Sequence, residues 1–465
     1  MLFSSITFLY YFLPLTMALY LMVPKRFKNL VLLLASLVFY AWGEPKYVFL
    51  MAGSILLGYG FGLLIEKFRG KRAGRFFCIV SVLFSLSFLL YFKYADFFLE
   101  NFNAVTGAHI PLLNIALPIG ISFYTFQLIS YTVDVYRGEK AQKNIISLAV
   151  YIAMFPQLIA GPIVRYSHIA GQIEEREYSW NGMAEGIRRF VTGMAKKILI
   201  SNQLAELCSV FRASGEKSVL FYWLYALSFM LHIYYDFSGY SDMAIGLGRI
   251  LGFHFQENFN YPYISKSITE FWRRWHISLG TWFRDYVYIP LGGNRLGKGR
   301  QLLNILVVWM LTGFWHGAEW NFIVWGLIFA LLLTAEKLWL LKILEKSKVL
   351  AHIYTLFLVM LSFIIFNAQD MGQAFSDIGG LFGIGGISLL SAEAVYCLKS
   401  FSVVLFMGIV GVMPAVRNFV GYIGNKPAGG RILNIAEPVI LVGLWLVMTA
   451  YLVDGSFNPF LYFRF

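Results

Sequence analysis

Apolar runs of about 20 residues, the length that crosses a bilayer core, recur along the whole chain. They lie near 3–23, 30–42 with 46–66, 76–92, 143–160, 218–236, 300–318, 321–341, 350–367, 398–416 and 434–453. The pattern predicts an all-α polytopic membrane protein of about 10–12 transmembrane helices, with re-entrant and interfacial helices between them. Leu2 to Val23 lacks a basic leader and a small-residue cleavage site, and reads as a retained span. Other runs are interrupted. The stretch 30–42 stops at a turn, Gly43-Glu44-Pro45. The stretches 112–135 and 238–252 carry Gly, Pro and Asp between them. Such broken segments persist at membrane depth only where protein or a water-filled cavity covers them.

Two segments have amphipathic rather than uniformly apolar spacing. Met183 to Gln203 sets Arg188, Arg189, Lys196 and Lys197 among Ile187, Phe190, Val191, Met194, Ile198 and Leu199. That pattern predicts a helix in the membrane interface with its cations toward headgroups. In Ser265–Tyr288, Ile268, Phe271, Trp272, Trp275, Leu279, Trp282 and Tyr286 recur at helical spacing. The other face of this predicted helix carries Glu270, Arg273, Arg274 and Asp285.

Composition agrees with the pattern. Hydrophobic residues make up 58% of the chain and charged residues 14%, and a soluble protein so poor in charge would expose large apolar patches. The net charge of +13 does not point to nucleic acid, because the basic residues form short clusters between apolar runs and not one patch. Lys25–Lys28, Lys67–Arg75, Arg137–Lys143, Arg188–Lys197 and Arg295–Arg300 are such clusters, the pattern of cytoplasmic loops. Threading the first spans through them places the N-terminus outside the cytoplasm. Cys78, Cys208 and Cys397 show neither metal-ligand spacing nor a disulfide framework, and read as packing residues.

Signatures of soluble enzymes are absent. Gly292–Lys298 has the spacing of a phosphate loop, but Gly299 stands where a Ser or Thr would bind magnesium, and no strand precedes it. No paired-histidine zinc motif occurs, and no metal site is expected. Two histidines stand out. His316 follows a long apolar run, in Phe314-Trp315-His316-Gly317, where an ionisable side chain is costly and is a functional hypothesis by default. Gly313 and Gly317 have the spacing of close helix packing. His276 follows Trp275 in the aromatic stripe; an interfacial aromatic anchor is the alternative reading there. His232 lies near Asp236 and reads as a buried polar partner.

The Trp315-His316-Gly317 motif, with Trp275-His276 upstream, resembles the membrane-bound O-acyltransferases. So do Leu117–Gln127, Phe155–Ile163, Tyr235–Asp242 and Arg284–Gly293. The resemblance covers essentially the whole chain. It is strongest to the polysaccharide O-acetylation branch (AlgI-like), with the teichoic-acid D-alanylation branch (DltB-like) as a relative. It implies a single membrane domain over 1–465, a catalytic core at approximately 112–340, and a ring of helices around a central tunnel. It also implies that His316 is the catalytic histidine and His276 its second histidine. Trp275, Trp315, Asn321 and Asp236 are candidates for the substrate path, the first three as hydrogen-bond donors to an oxyanion.

Acyl transfer to a hydroxyl needs a base, and a neutral imidazole can take that proton. No permanently bound cofactor is expected; acetyl-CoA or another acyl thioester would be the donor. The implied partners are an extracytoplasmic SGNH or esterase-like acetyltransferase (AlgJ/AlgX-like), a polysaccharide acceptor and membrane lipids. The implied location is the bacterial cytoplasmic (inner) membrane. D-alanyl transfer to teichoic acid is the alternative within the family. A transporter is the alternative from another class, since broken helices and buried Asp134, Asp236, Asp242, Glu319 and His316 would suit a substrate path. A scaffold that only recruits a partner enzyme is a third. A topology reporter fused at Met1 is expected to read extracytoplasmic; a cytoplasmic signal would reverse the orientation.

Overall fold

A computed structural model describes residues 1–455. Every regular element among them is helical, the backbone solution that satisfies its own polar groups where water is scarce. By length and composition, four helices suit a membrane crossing: Val48–Lys67, Arg72–Thr106, Lys348–Asn367 and Pro427–Val453. The pair Ala392–Ser400 and Ser402–Gly411, bent by 58°, makes a fifth if it is one broken span. The expected tally of about 10–12 counted apolar runs, and several of these form shorter, broken or more polar helices. The run 143–160 divides into Ile145–Ala153 and the turn of helix Phe155–Leu158 around Pro156. The run 218–236 lies within Val219–Ile250, which continues through Asp236, Asp242 and Arg249.

Contacts divide the chain into two compact units. One comprises Met1–Phe190 with Met243–Gln256; the other comprises Val191–Asp242 and the chain from Glu257 onward. In the first unit, the helix Ile121–Arg137 is buried along most of its length. Gly58 and Gly62 of Val48–Lys67 lie against its Leu128 and Tyr131; a Cβ on Gly62 would fall 2.2 Å from the Tyr131 hydroxyl. The expected break before this helix is real. Gly120 has φ +78°, and a Cβ there would come within 2.7 Å of the Leu158 carbonyl oxygen.

The second unit contains the candidate residues named above, and here two expectations are corrected. The amphipathic stretch 183–203 does not send all its cations toward headgroups. It runs as Trp180–Ala195, widens into a π-helical segment over Lys196–Ser201, and continues as Asn202–Ala213. Lys197 is buried in an ion pair with Asp236, and Lys196 binds Asp242 at 2.6 Å. An isolated buried ammonium is expensive, so an opposite charge in reach captures it. The second correction is at 265–288, which is not one helix. Ile268–Arg274 and Ile277–Phe283 are separated by Trp275 in extended conformation and His276 at φ +45°. The apolar stripe is still buried: Ile268, Phe271, Trp275, Leu279 and Trp282 all face the interior.

Lys298–His316 is a single helix ending on His316, and it packs against Trp320–Ala335. A Cβ on Gly313 would lie 2.4 Å from the Phe322 carbonyl oxygen, and one on Gly326 would lie 2.4 Å from that of Trp309. Gly317 abuts the Phe322 ring. The Gly313–Gly317 spacing therefore marks close packing, with Gly326 as a further contact on the facing helix. Gly313→Ala is expected to cost about 1–3 kcal/mol through this backbone clash and to lower the heat-aggregation temperature of the detergent-solubilised protein. Gly299→Ala in the same helix, with nothing within 4 Å of the added carbon, is the control and should leave it unchanged.

Candidate active site

His316 closes its helix because Gly317 turns to an extended conformation and the next helix starts only at Trp320. Its imidazole is buried in an aromatic cage. Trp315, Trp325 and Phe366 meet it edge-to-face at ring-centroid distances of 5.0, 5.2 and 5.2 Å. Trp325 comes from the following helix and Phe366 from Lys348–Asn367, so three helices build the cage. Among the described residues, the buried Trp325 Nε1–H has no hydrogen-bond partner. A donor held ready in a dry site can serve developing negative charge.

His276 also lies beside Trp315, with ring centroids 6.1 Å apart, and packs edge-on against Phe237 at 4.6 Å. Its Nδ1 is 3.1 Å from Asn258 Oδ1. Burial, reinforced by the nearby His316, holds the His276 pKa well below the ordinary imidazole value. Desolvation penalises the cation, and two adjacent imidazoles resist carrying charge together. His276 is thereby held in its neutral form at physiological pH.

The chain reversal at 275–276 explains why neighbours diverge. Trp275 turns into the aromatic core, against Phe259 at 5.1 Å, Phe363 at 5.2 Å and Phe271 at 5.5 Å. It is an anchor of the break. Trp315 contacts the rings of both histidines. Asn321 binds the end of another helix, its Nδ2 donating to the Ala368 carbonyl at 3.0 Å, so its amide is at least partly committed to holding the fold. Asp236 is fully buried and engaged by Lys197, and the next residue, Phe237, is the one that packs on His276. His232 bonds Ser201, Nδ1 to Oγ at 2.9 Å. The three cysteines are buried and unbridged. Among the described residues, no three His, Cys, Asp or Glu side chains are grouped to hold a metal.

Several contributors escaped sequence reasoning. Trp325 and Phe366 looked like ordinary members of apolar helices. Asn258, in Asn258-Phe259-Asn260-Tyr261-Pro262, lies in a mixed polar and aromatic stretch where nothing sets it apart. Glu336 is buried at the end of an apolar run. Its carboxylate accepts from the Ile268 and Thr269 backbone N–H groups, at 2.6 and 2.9 Å, and from Thr269 Oγ1 at 2.7 Å. It thereby caps the helix that leads into Trp275-His276, where the orphan N–H groups and the helix dipole favour an anion.

A helical multi-pass membrane protein with a caged histidine at a helix end is the setting of an intramembrane enzyme. The chain belongs to the membrane-bound O-acyltransferase family, whose match spans residues 86–368, more than half its length. It is 38% identical, over the full length of both chains, to the probable alginate O-acetylase AlgI of Azotobacter vinelandii. It is 34% identical to the peptidoglycan O-acetyltransferase of Helicobacter pylori, over 85% of this chain and 82% of that one. Similarity to the teichoic acid D-alanyltransferase of Bacillus subtilis is 31% identity over 49% of this chain and 60% of that one. The protein is therefore an acyltransferase, which removes the transporter and scaffold alternatives as accounts of the chain.

Glu336→Leu is expected to strand the capped N–H groups, at about 1–3 kcal/mol for each, and to lower both heat stability and transfer activity. Glu336→Gln, which keeps one acceptor, should retain more of each in the same assays.

Proposed function

We propose that the protein moves an acetyl group from a cytoplasmic thioester, acetyl-CoA or an equivalent, toward an extracytoplasmic acceptor for polysaccharide O-acetylation. The observation that carries the reading is the buried imidazole of His316 in its aromatic cage, with the imidazole of His276 also packed on Trp315. Full-length similarity to an alginate O-acetylase, against partial similarity to a D-alanyltransferase, favours acetyl over D-alanyl. The acceptor polymer belongs to the class that the relatives' names define, alginate or peptidoglycan. An esterase-like acetyltransferase outside the membrane would complete delivery, and the bacterial cytoplasmic membrane is the proposed location.

In this reading, His316 takes the proton of an acceptor hydroxyl as its oxygen attacks the thioester carbonyl carbon. The C=O electron pair moves onto oxygen, where an N–H donor such as Trp325 stabilises it. The intermediate collapses with cleavage of the C–S bond, and the thiolate recovers the proton from His316. Water is kept out by the surrounding rings, which protects the thioester from hydrolysis.

His316→Ala is expected to reduce polymer acetylation by about 10²–10⁴-fold, the worth of a positioned general base, while the protein inserts and accumulates normally. Wild-type acetylation in that variant would overturn the assignment. Transfer of D-alanine, and not acetate, from a labelled thioester by the wild-type protein would select the other branch.

A further inference from the structure

The Asn258 amide ties together most of the polar groups around His276. It is 1% exposed. Its Oδ1 receives the Ser278 backbone N–H at 3.2 Å and the Ser278 hydroxyl at 2.9 Å, besides facing His276 Nδ1 at 3.1 Å. Its Nδ2 donates to Ser241 Oγ at 2.9 Å. The backbone of the same segment clips both sides of the break: Ile277 N–H donates to the Asn258 carbonyl at 3.0 Å, and Asn260 N–H to that of Arg274 at 2.9 Å.

Which end of the amide faces His276 follows from chemistry. A backbone N–H can only donate, so the Asn258 atom facing the Ser278 N–H is the oxygen. That oxygen can only accept, so the His276 nitrogen bonded to it carries the proton. A neutral imidazole has one N–H, and with Nδ1 protonated, Nε2 presents a lone pair.

We propose that Asn258 is a positioning residue that holds His276 as the Nδ1–H tautomer, so that His276 serves the reaction as a hydrogen-bond acceptor through Nε2. The group it recognises is then a hydroxyl, the acceptor side of the transfer. It is not an oxyanion donor to the thioester carbonyl. This role rests on the reading of His276 and His316 as the acyl-transfer site; the tautomer itself does not. The left-handed backbone at His276 is part of the same device, since the clip at Asn258 and Asn260 holds the residue in a conformation that its own side chain disfavours.

The tautomer is read without activity. In nanodisc-embedded protein with ¹⁵N-labelled histidine, the His276 signal, identified by its loss in His276→Gln, should show a protonated Nδ1 and an unprotonated Nε2. An Nε2–H signal overturns the proposal whatever the enzyme does. Kinetics test the role. Asn258→Leu is expected to lower the maximal transfer rate by about 10–100-fold, the usual effect of removing a partner that orients a functional histidine, with the KM for the thioester little changed. In a His276→Ala background the same substitution should have almost no further effect, as for residues acting through one another. Equal losses in both backgrounds overturn the proposal. Asn258→Asp keeps the acceptor and adds charge beside His276, so it should retain activity with the acid limb of its pH profile moved to higher pH. An unmoved profile overturns the proposal, and this variant decides the matter if Asn258→Leu fails to accumulate. Failure of the acyltransfer reading would appear separately, as full transfer by His316→Ala.

Discussion

A polar group buried away from water must find its partner inside the protein, and the second compact unit is organised around that demand. Lys197 reaches Asp236, Glu336 reaches the N–H groups of Ile268 and Thr269, and Asn258 gathers His276, Ser278 and Ser241. Each of these contacts joins segments distant in sequence. An unmet polar group, buried as these are, would cost its full desolvation penalty. The polar contacts therefore specify which arrangement of helices is stable, while the aromatic rings supply bulk packing.

The same demand shapes the site. Burial disfavours an imidazolium, and it holds His276 neutral. The aromatic cage of His316 surrounds the imidazole with rings, which offer it no competing hydrogen-bond acceptor. Rigid positioning comes from the short contacts of Gly313 and Gly326, which let two helices approach so closely that Trp325 reaches the imidazole at the end of the neighbouring helix. Packing, polar satisfaction and chemistry are thus carried by overlapping residues.

Much of this was legible in the residues. The helical, membrane-embedded class followed from apolar runs and clustered basic loops. His316 was legible because an ionisable side chain ending an apolar run is costly. The family followed from two histidine motifs and their flanking segments. What escaped was decided by tertiary contacts. No Gly or Pro marks the break at Trp275-His276, and periodicity predicts a helix straight through it; the clip from Asn258 and Asn260 creates the break. The burial of Lys197 was hidden because Asp236 lies far along the chain. Asn258 has no sequence signal of its own, because it lies in a mixed polar and aromatic stretch without helical periodicity and its partners His276, Ser278 and Ser241 are distant along the chain.

The break also ties the site to register. Ile277 N–H donates to the Asn258 carbonyl and Asn260 N–H to that of Arg274, so two backbone bonds on either side of Phe259 hold the two sides of the break. Inserting or deleting one residue at Phe259 would leave both histidine motifs intact in a sequence comparison, yet the two bonds could no longer form together. Counting, as much as identity, is therefore what this stretch has to preserve.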